Sequence, residues 1–135
     1  LILGYPVITT RGWMKPHLPR LVGERNWEET VKLLDCSLNV GPHTPPSFLV
    51  HTFMDEGVSV EESLCFANAM DRQNIPFELH IFPNGGHGLA TGDTETCDRV
   101  DPSFSKWIEL SILWLDRLFT EGGPADPTNR ARQVE

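Results

Sequence analysis

Basic residues are scarce in these 135 residues: 11 Lys and Arg stand against 19 Asp and Glu, for a formal net charge of -8. A surface of that sign repels phosphate backbones and anionic headgroups, which argues against nucleic-acid binding and against docking on an acidic membrane. No apolar run approaches the roughly 18 residues that a spanning helix needs. Cysteine is sparse as well. Cys36, Cys65 and Cys97 are odd in number and never stand at a C-x-x-C spacing, so neither a disulfide framework nor a thiolate zinc site is expected. Three separate reduced thiols lean towards an intracellular protein. A charged n-region before an apolar stretch is also lacking. The opening Leu1-Ile2-Leu3-Gly4-Tyr5-Pro6-Val7 is therefore no signal peptide. It suits a strand inside a domain, so the chain is expected to be part of a longer protein whose compartment stays open.

What is present reads as α/β. The 39% hydrophobic and 22% charged content fits one globular domain. Leu1 to Tyr5, closed by Pro6, predicts a strand covered on both faces. A loop with about one helical turn is expected from Thr9 to Arg25, then a helix from Trp27 to Asp35 capped by Asn26. Gly41-Pro42-His43-Thr44-Pro45-Pro46 is a rigid connector. Ser47 to His51 reads as a second buried strand. Ser59 and Glu62 stand at capping-box spacing before a helix from Val60 to Arg72, with Leu64, Ala67 and Phe66, Met70 as its apolar rows. Pro76 ends that segment, and Phe77 to Phe82 alternates as a strand near a sheet edge should. Strand, helix and strand with short links form a right-handed parallel βαβ unit. A last helix begins at Asp101-Pro102-Ser103. It carries two apolar rows, Trp107, Ser111, Trp114, Leu118 and Ile108, Ile112, Leu115, Phe119, and Gly122-Gly123-Pro124 ends it. The expected division is a domain over residues 1–121 and a disordered tail over 122–135. The helices are too few to cover both faces of a complete sheet.

In parallel sheets, ligands sit at the carboxyl ends of the strands. Two predicted strand ends feed reactive loops: Thr52-Phe53-Met54-Asp55-Glu56-Gly57-Val58, and Pro83-Asn84-Gly85-Gly86-His87-Gly88. Neighbouring strands lie roughly 4.8 Å apart, close enough for Asp55 and His87 to meet. An imidazole backed by a carboxylate is what a serine hydroxyl needs to become a nucleophile. Asp before His is also the α/β-hydrolase order. Gly85, Gly86 and Gly88 are expected to supply positive φ around His87.

The stretch "PPSFLVHTFMDEGVSVEESLCFANAMDRQNIPFELHIFPNGGHGL", Pro45 to Leu89, resembles the C-terminal part of small α/β-hydrolase esterases, the lipase/esterase and acetylesterase group that includes enzymes acting on acetylated xylan. The resemblance runs from Leu1 to about Phe119. It implies the C-terminal part of an α/β-hydrolase fold: parallel strands with flanking helices in an incomplete domain. It implies Asp55 as catalytic acid and His87 as catalytic base. The expected substrate is a short acyl ester, with acetyl groups on carbohydrate among the candidates, and no metal or organic cofactor. The sequence departs from the family at Ser59, where Pro is usual. It also holds no G-x-S-x-G and no HGGG. The nucleophile is thus absent, and the isolated chain is expected to be inactive. A peptidase of the prolyl-oligopeptidase type, or a non-catalytic hydrolase-fold binding module, are the rival readings.

Ordinary roles compete for several of these residues. Asp55 alone would pass for a turn residue, with Glu56 as its rival, and His87 alone for a loop histidine. His51 and His80, inside strands, are expected to be structural; His17 and His43 belong to the surface. Gly85-Gly86-His87-Gly88 makes a poor phosphate loop, because no helix follows it directly and Asp93, Glu95, Asp98 and Asp101 would repel an anion. Those carboxylates lack EF-hand spacing. Trp107 and Trp114 belong to a helix core, while Trp13 is the better candidate for a substrate mouth.

Overall fold

The computed structural model describes residues 1–23, 27–93, 95–96 and 101–120. Asn26, Cys97, Asp98 and the expected tail with its Gly122-Gly123-Pro124 stop lie outside them. In chain order come β1 (Ile2–Gly4), α1 (Leu18–Val22), α2 (Trp27–Leu34), β2 (Ser47–Thr52), α3 (Glu61–Arg72), β3 (Phe77–Phe82) and α4 (Trp107–Thr120). Short 3-10 turns sit at Cys36–Leu38 and Phe104–Lys106. The three strands form one parallel sheet in the order β1-β2-β3.

β2 is buried along its whole length, as its Phe-Leu-Val run predicts. Its side chains alternate between two cores. Phe48 and Val50 join Leu89, Phe104 and Trp114, under α4. Leu49 joins Ile8, Phe66 and Met70, under α3. The register sets Glu78, His80 and Phe82 of β3 beside Phe48, Val50 and Thr52. This accounts for the polar alternation in β3. Glu78 accepts a hydrogen bond from Arg117 of α4 at 2.7 Å, and its other oxygen lies 2.8 Å from His80. One helix thus packs on each face of β2, which is buried throughout, while β3 stays only partly buried and its Ile81 is exposed, as expected of an incomplete domain with too few helices to cover its sheet.

Other expectations need correction. Within this chain β1 is not covered on both faces: Leu1 and Ile2 are 50% and 42% exposed and β1 pairs with β2 alone among the described residues, while Leu3 packs on the core of Leu49, Phe66 and Met70. The Ser59–Glu62 capping box does not form. Ser59 Oγ accepts from Glu61 N at 3.2 Å, while Glu62 turns inward, where its carboxylate accepts from Ile8 N (2.9 Å), Thr9 N (2.5 Å) and Thr9 Oγ1 (3.0 Å). Leu64 stands outside the α3 core, and Ile112 and Phe119 of the second α4 row are exposed. The first row does pack, through Trp107, Trp114 and Leu118 with Ser111 buried between them.

Candidate active site

Both reactive loops leave the carboxyl end of the sheet on adjacent strands, and their side chains meet. His87 Nδ1 lies 2.9 Å from Asp55 Oδ2. A carboxylate only accepts, so Nδ1 carries the hydrogen and donates it. In the neutral ring that leaves the lone pair on Nε2. The His87 side chain is 43% exposed whereas that of Asp55 is 0% exposed. The acid is sealed in, and the base has an open side.

Local geometry explains why Asp55 tolerates burial. Its Oδ1 accepts from Gly57 N at 2.9 Å and Val58 N at 2.8 Å, so the carboxylate folds its own loop into a side-chain turn. Its Oδ2 accepts from His87 and lies 3.4 Å from His51 Nε2. A buried carboxylate surrounded by N–H groups recovers much of what it loses in hydration. Glu56, the rival acid, is exposed and points into the neighbouring groove.

Several bonds seat the His87 loop. Thr52 Oγ1 donates to Gly85 O at 2.8 Å, fixing the loop to the end of β2. Tyr5 OH accepts from Ala90 N at 3.1 Å, and Trp107 Nε1 donates to Ala90 O at 3.2 Å. The Tyr5 ring meets the His87 ring edge-on, with centroids 5.1 Å apart. Tyr5 itself sits at φ 38°, a rare conformation for a bulky residue and so a sign of constraint beside the site. Gly85 and Gly88 take positive φ as expected; Gly86 does not. Thr52, Tyr5 and Trp107 carried no sequence signal of this role, since each is tied to the loop only through the tertiary fold.

Beside His87 opens a groove of about 710 Å³, lined among others by Met54, Glu56, Asn84, Asp101 and Pro102. Asn84 Nδ2 donates to Asp101 Oδ2 at 2.7 Å. Donation from Ser103 and then from Asn84 holds the Asp101 carboxyl below its ordinary range. Met54 and Pro102 give the groove apolar surface, and Glu56, Asn84 and Asp101 give it polar groups, of which Asn84 and Asp101 are bonded to each other.

The other candidates fall elsewhere. His51 is fully buried and bonded to Ser63 and Val58; His80 pairs with Glu78. Trp13 is exposed and packs on His17, with centroids 4.4 Å apart, and it does not line the groove beside His87. Among the described residues Cys36 and Cys65 are free thiols, no group of three His, Cys, Asp or Glu is arranged to hold a metal ion, and no helix is long and apolar enough to cross a membrane.

Comparison with known proteins places this geometry in context. The family model described as "Prolyl oligopeptidase family" matches residues 7–109. The chain is 38% identical over 96 residues to endo-1,4-beta-xylanase B of Butyrivibrio fibrisolvens, a match covering 70% of this chain and 15% of that protein. It is similar to the solved structure of an acetyl ester-xyloside bifunctional hydrolase from Caldicellulosiruptor lactoaceticus, with 36% identity and a TM-score of 0.75 over 87% of this chain and 41% of that one. It is also similar to the carboxylesterase Cest-2923 from Lactobacillus plantarum WCFS1, with 26% identity and a TM-score of 0.69 over 86% of this chain and 43% of that one. The chain therefore spans about two fifths of the length of these solved structures. Parallel strands with flanking helices, as found here, are the α/β-hydrolase arrangement.

Proposed function

Because this chain belongs to the prolyl oligopeptidase family of α/β-hydrolases, we propose that it supplies the acid and the base of a serine esterase acting on short acyl esters, acetylated saccharides among them. The observation that carries this reading is the 2.9 Å bond from His87 Nδ1 to the sealed carboxylate of Asp55.

The chemistry follows from that bond. Asp55 fixes the imidazole with its free lone pair on Nε2, at the open side of the ring. A serine hydroxyl from the remainder of the protein gives its proton to Nε2 as its oxygen bonds to the acyl carbon. Asp55 stabilises the imidazolium that forms. The proton then passes from Nε2 to the departing alcohol oxygen as the ester bond breaks. Water repeats the cycle on the acyl-enzyme and frees the acid. The nucleophile and the oxyanion donors are assigned to the part of the protein outside these 135 residues, since no G-x-S-x-G stands within them.

The groove beside His87 supports a saccharide as the alcohol. Sugar rings rest on apolar walls and bond through hydroxyls to carboxylate and amide groups, and Met54 and Pro102 stand there with Glu56, Asn84 and Asp101. The acetyl ester-xyloside hydrolase among the similar structures favours the same substrate class.

In the complete protein, Asp55→Asn and His87→Ala should each lower p-nitrophenyl acetate turnover by about a thousandfold or more. Full activity in either variant removes the assignment. The family match itself favours a second reading, a peptidase cleaving after proline. Turnover of a prolyl p-nitroanilide, with no turnover of acetate esters, would establish that reading instead.

A further inference from the structure

His51 lies at the end of the central strand with its ring completely buried. Two contacts define its protonation pattern. Nε2 is 2.9 Å from the Val58 carbonyl oxygen, which can only accept, so Nε2 carries a hydrogen. Nδ1 is 2.8 Å from Ser63 Oγ on α3, whose hydroxyl donates to the remaining lone pair. The ring is thereby held as the Nε2–H tautomer. The same Nε2 lies 3.4 Å from Asp55 Oδ2, the very oxygen that accepts from His87. Asp55 is thus flanked by two imidazoles, one sealed and one open.

We infer that His51 is a positioning residue for the proposed hydrolysis, acting through Asp55; the inference rests on the function proposed above. Its first effect is mechanical. The bond to Val58 ties the far end of the acid loop back to β2, and Ser63 ties the ring to α3. The loop that carries Asp55 is braced from inside the protein. Its second effect concerns Oδ2. His51 Nε2 stands 3.4 Å from Oδ2 while its hydrogen goes to the Val58 carbonyl, so the ring lies beside the carboxylate without a hydrogen bond to it, and Oδ2 stays free to accept from His87. His51 is 0% exposed, so it touches no substrate, and its removal should act on the chemical step alone.

The test uses the complete protein. His51→Phe keeps a ring of similar bulk without the donor; His51→Gln keeps an N–H near the Nε2 position. In His51→Phe, kcat for p-nitrophenyl acetate should fall about 10- to 100-fold, the usual consequence of a misplaced catalytic group. KM should stay within about twofold, as expected when only a transition-state interaction is lost. His51→Gln should recover most of the loss. Ser63→Ala, which removes only the hydroxyl that fixes the tautomer, should lower kcat several-fold and serves if His51→Phe does not fold. Nitrogen-15 spectra should show His51 protonated at Nε2 and bare at Nδ1. Native kcat in His51→Phe or Ser63→Ala, or an Nδ1–H tautomer, overturns the inference. Asp55→Asn run in parallel separates the two levels. An inactive Asp55→Asn beside a fully active His51→Phe sinks only this inference, and an active Asp55→Asn sinks the proposed function itself.

Discussion

A methyl group added to Gly57 would lie 2.9 Å from the Cβ of His87 and 3.1 Å from its Cγ. The acid loop therefore approaches the base so closely that no side chain fits between them. The same carbon would lie 3.4 Å from Asp55 Oδ1, so Gly57→Ala should shift His87 relative to Asp55. Displacement of a catalytic group by about 1 Å costs on the order of a hundredfold in rate. The complete Gly57→Ala protein should lose about that much kcat with a melting temperature close to that of the parent. Unchanged kcat would show that the imidazole has another productive position.

The groove next to His87 should discriminate between alcohols. Asn84→Ala and Asp101→Ala remove its bonded polar pair, 2.7 Å apart. Each should lower kcat/KM for an acetylated xylo-oligosaccharide about tenfold, one or two lost hydrogen bonds in magnitude. The loss for p-nitrophenyl acetate, whose leaving group has no hydroxyls, should be smaller. Since its hydrogen bonds hold Asp101 below the ordinary carboxyl range, the difference should persist as the pH falls to where free aspartate begins to protonate. Equal losses on both substrates would place the saccharide elsewhere.

The thiols should react unequally. Burial, ahead of all other influences, pushes the Cys65 thiol up, with Glu61, Glu62 and Asp35 adding to the rise and Arg11 opposing it. Cys36 is exposed. The thiolate is the reactive form, so at pH 8 iodoacetamide should label Cys36 faster than Cys65 by about tenfold or more. Peptide mass spectrometry over a time course reads this directly, and equal rates would contradict it.

Local patterns made much of this legible in the sequence. The βαβ unit followed from one apolar strand, one amphipathic helix and one alternating strand, and it alone brought the Asp55 and His87 loops side by side. What stayed hidden depends on distant neighbours. The run Leu1 to Tyr5 is equally apolar whether both of its edges are paired or one, and nothing local to it specifies that it pairs with β2 alone within this chain. The capping-box spacing of Ser59 and Glu62 is local, whereas the donors that capture Glu62 come from Ile8 and Thr9. His51 read as a structural strand histidine and is fully bonded. Its closeness to Asp55 follows from the turn of the loop, which spacing alone does not specify.

Glu62 offers a test of the packing that supports the site. It is only 4% exposed, and its carboxylate gathers the backbone N–H groups of Ile8 and Thr9 and the Thr9 hydroxyl. These bonds pin the segment after β1 against α3, and an added methyl at Gly12 would meet Glu62 Oε1 at 2.6 Å, so the chain there is held close as well. Glu62→Ala leaves three buried donors without a partner, at a cost of about 3 kcal/mol. Glu62→Gln keeps one acceptor oxygen but turns an NH2 group towards donors, so it should fall between Ala and the parent. In the complete protein, taken at the length of the similar solved structures, each kcal/mol lowers the melting temperature by roughly 2 °C. Thermal unfolding of the complete protein followed by circular dichroism should therefore show a drop of about 6 °C for Glu62→Ala and a smaller one for Glu62→Gln. The same melting temperature in all three proteins would mean that water or another side chain takes over these donors, and that Glu62 does not hold the segment in place.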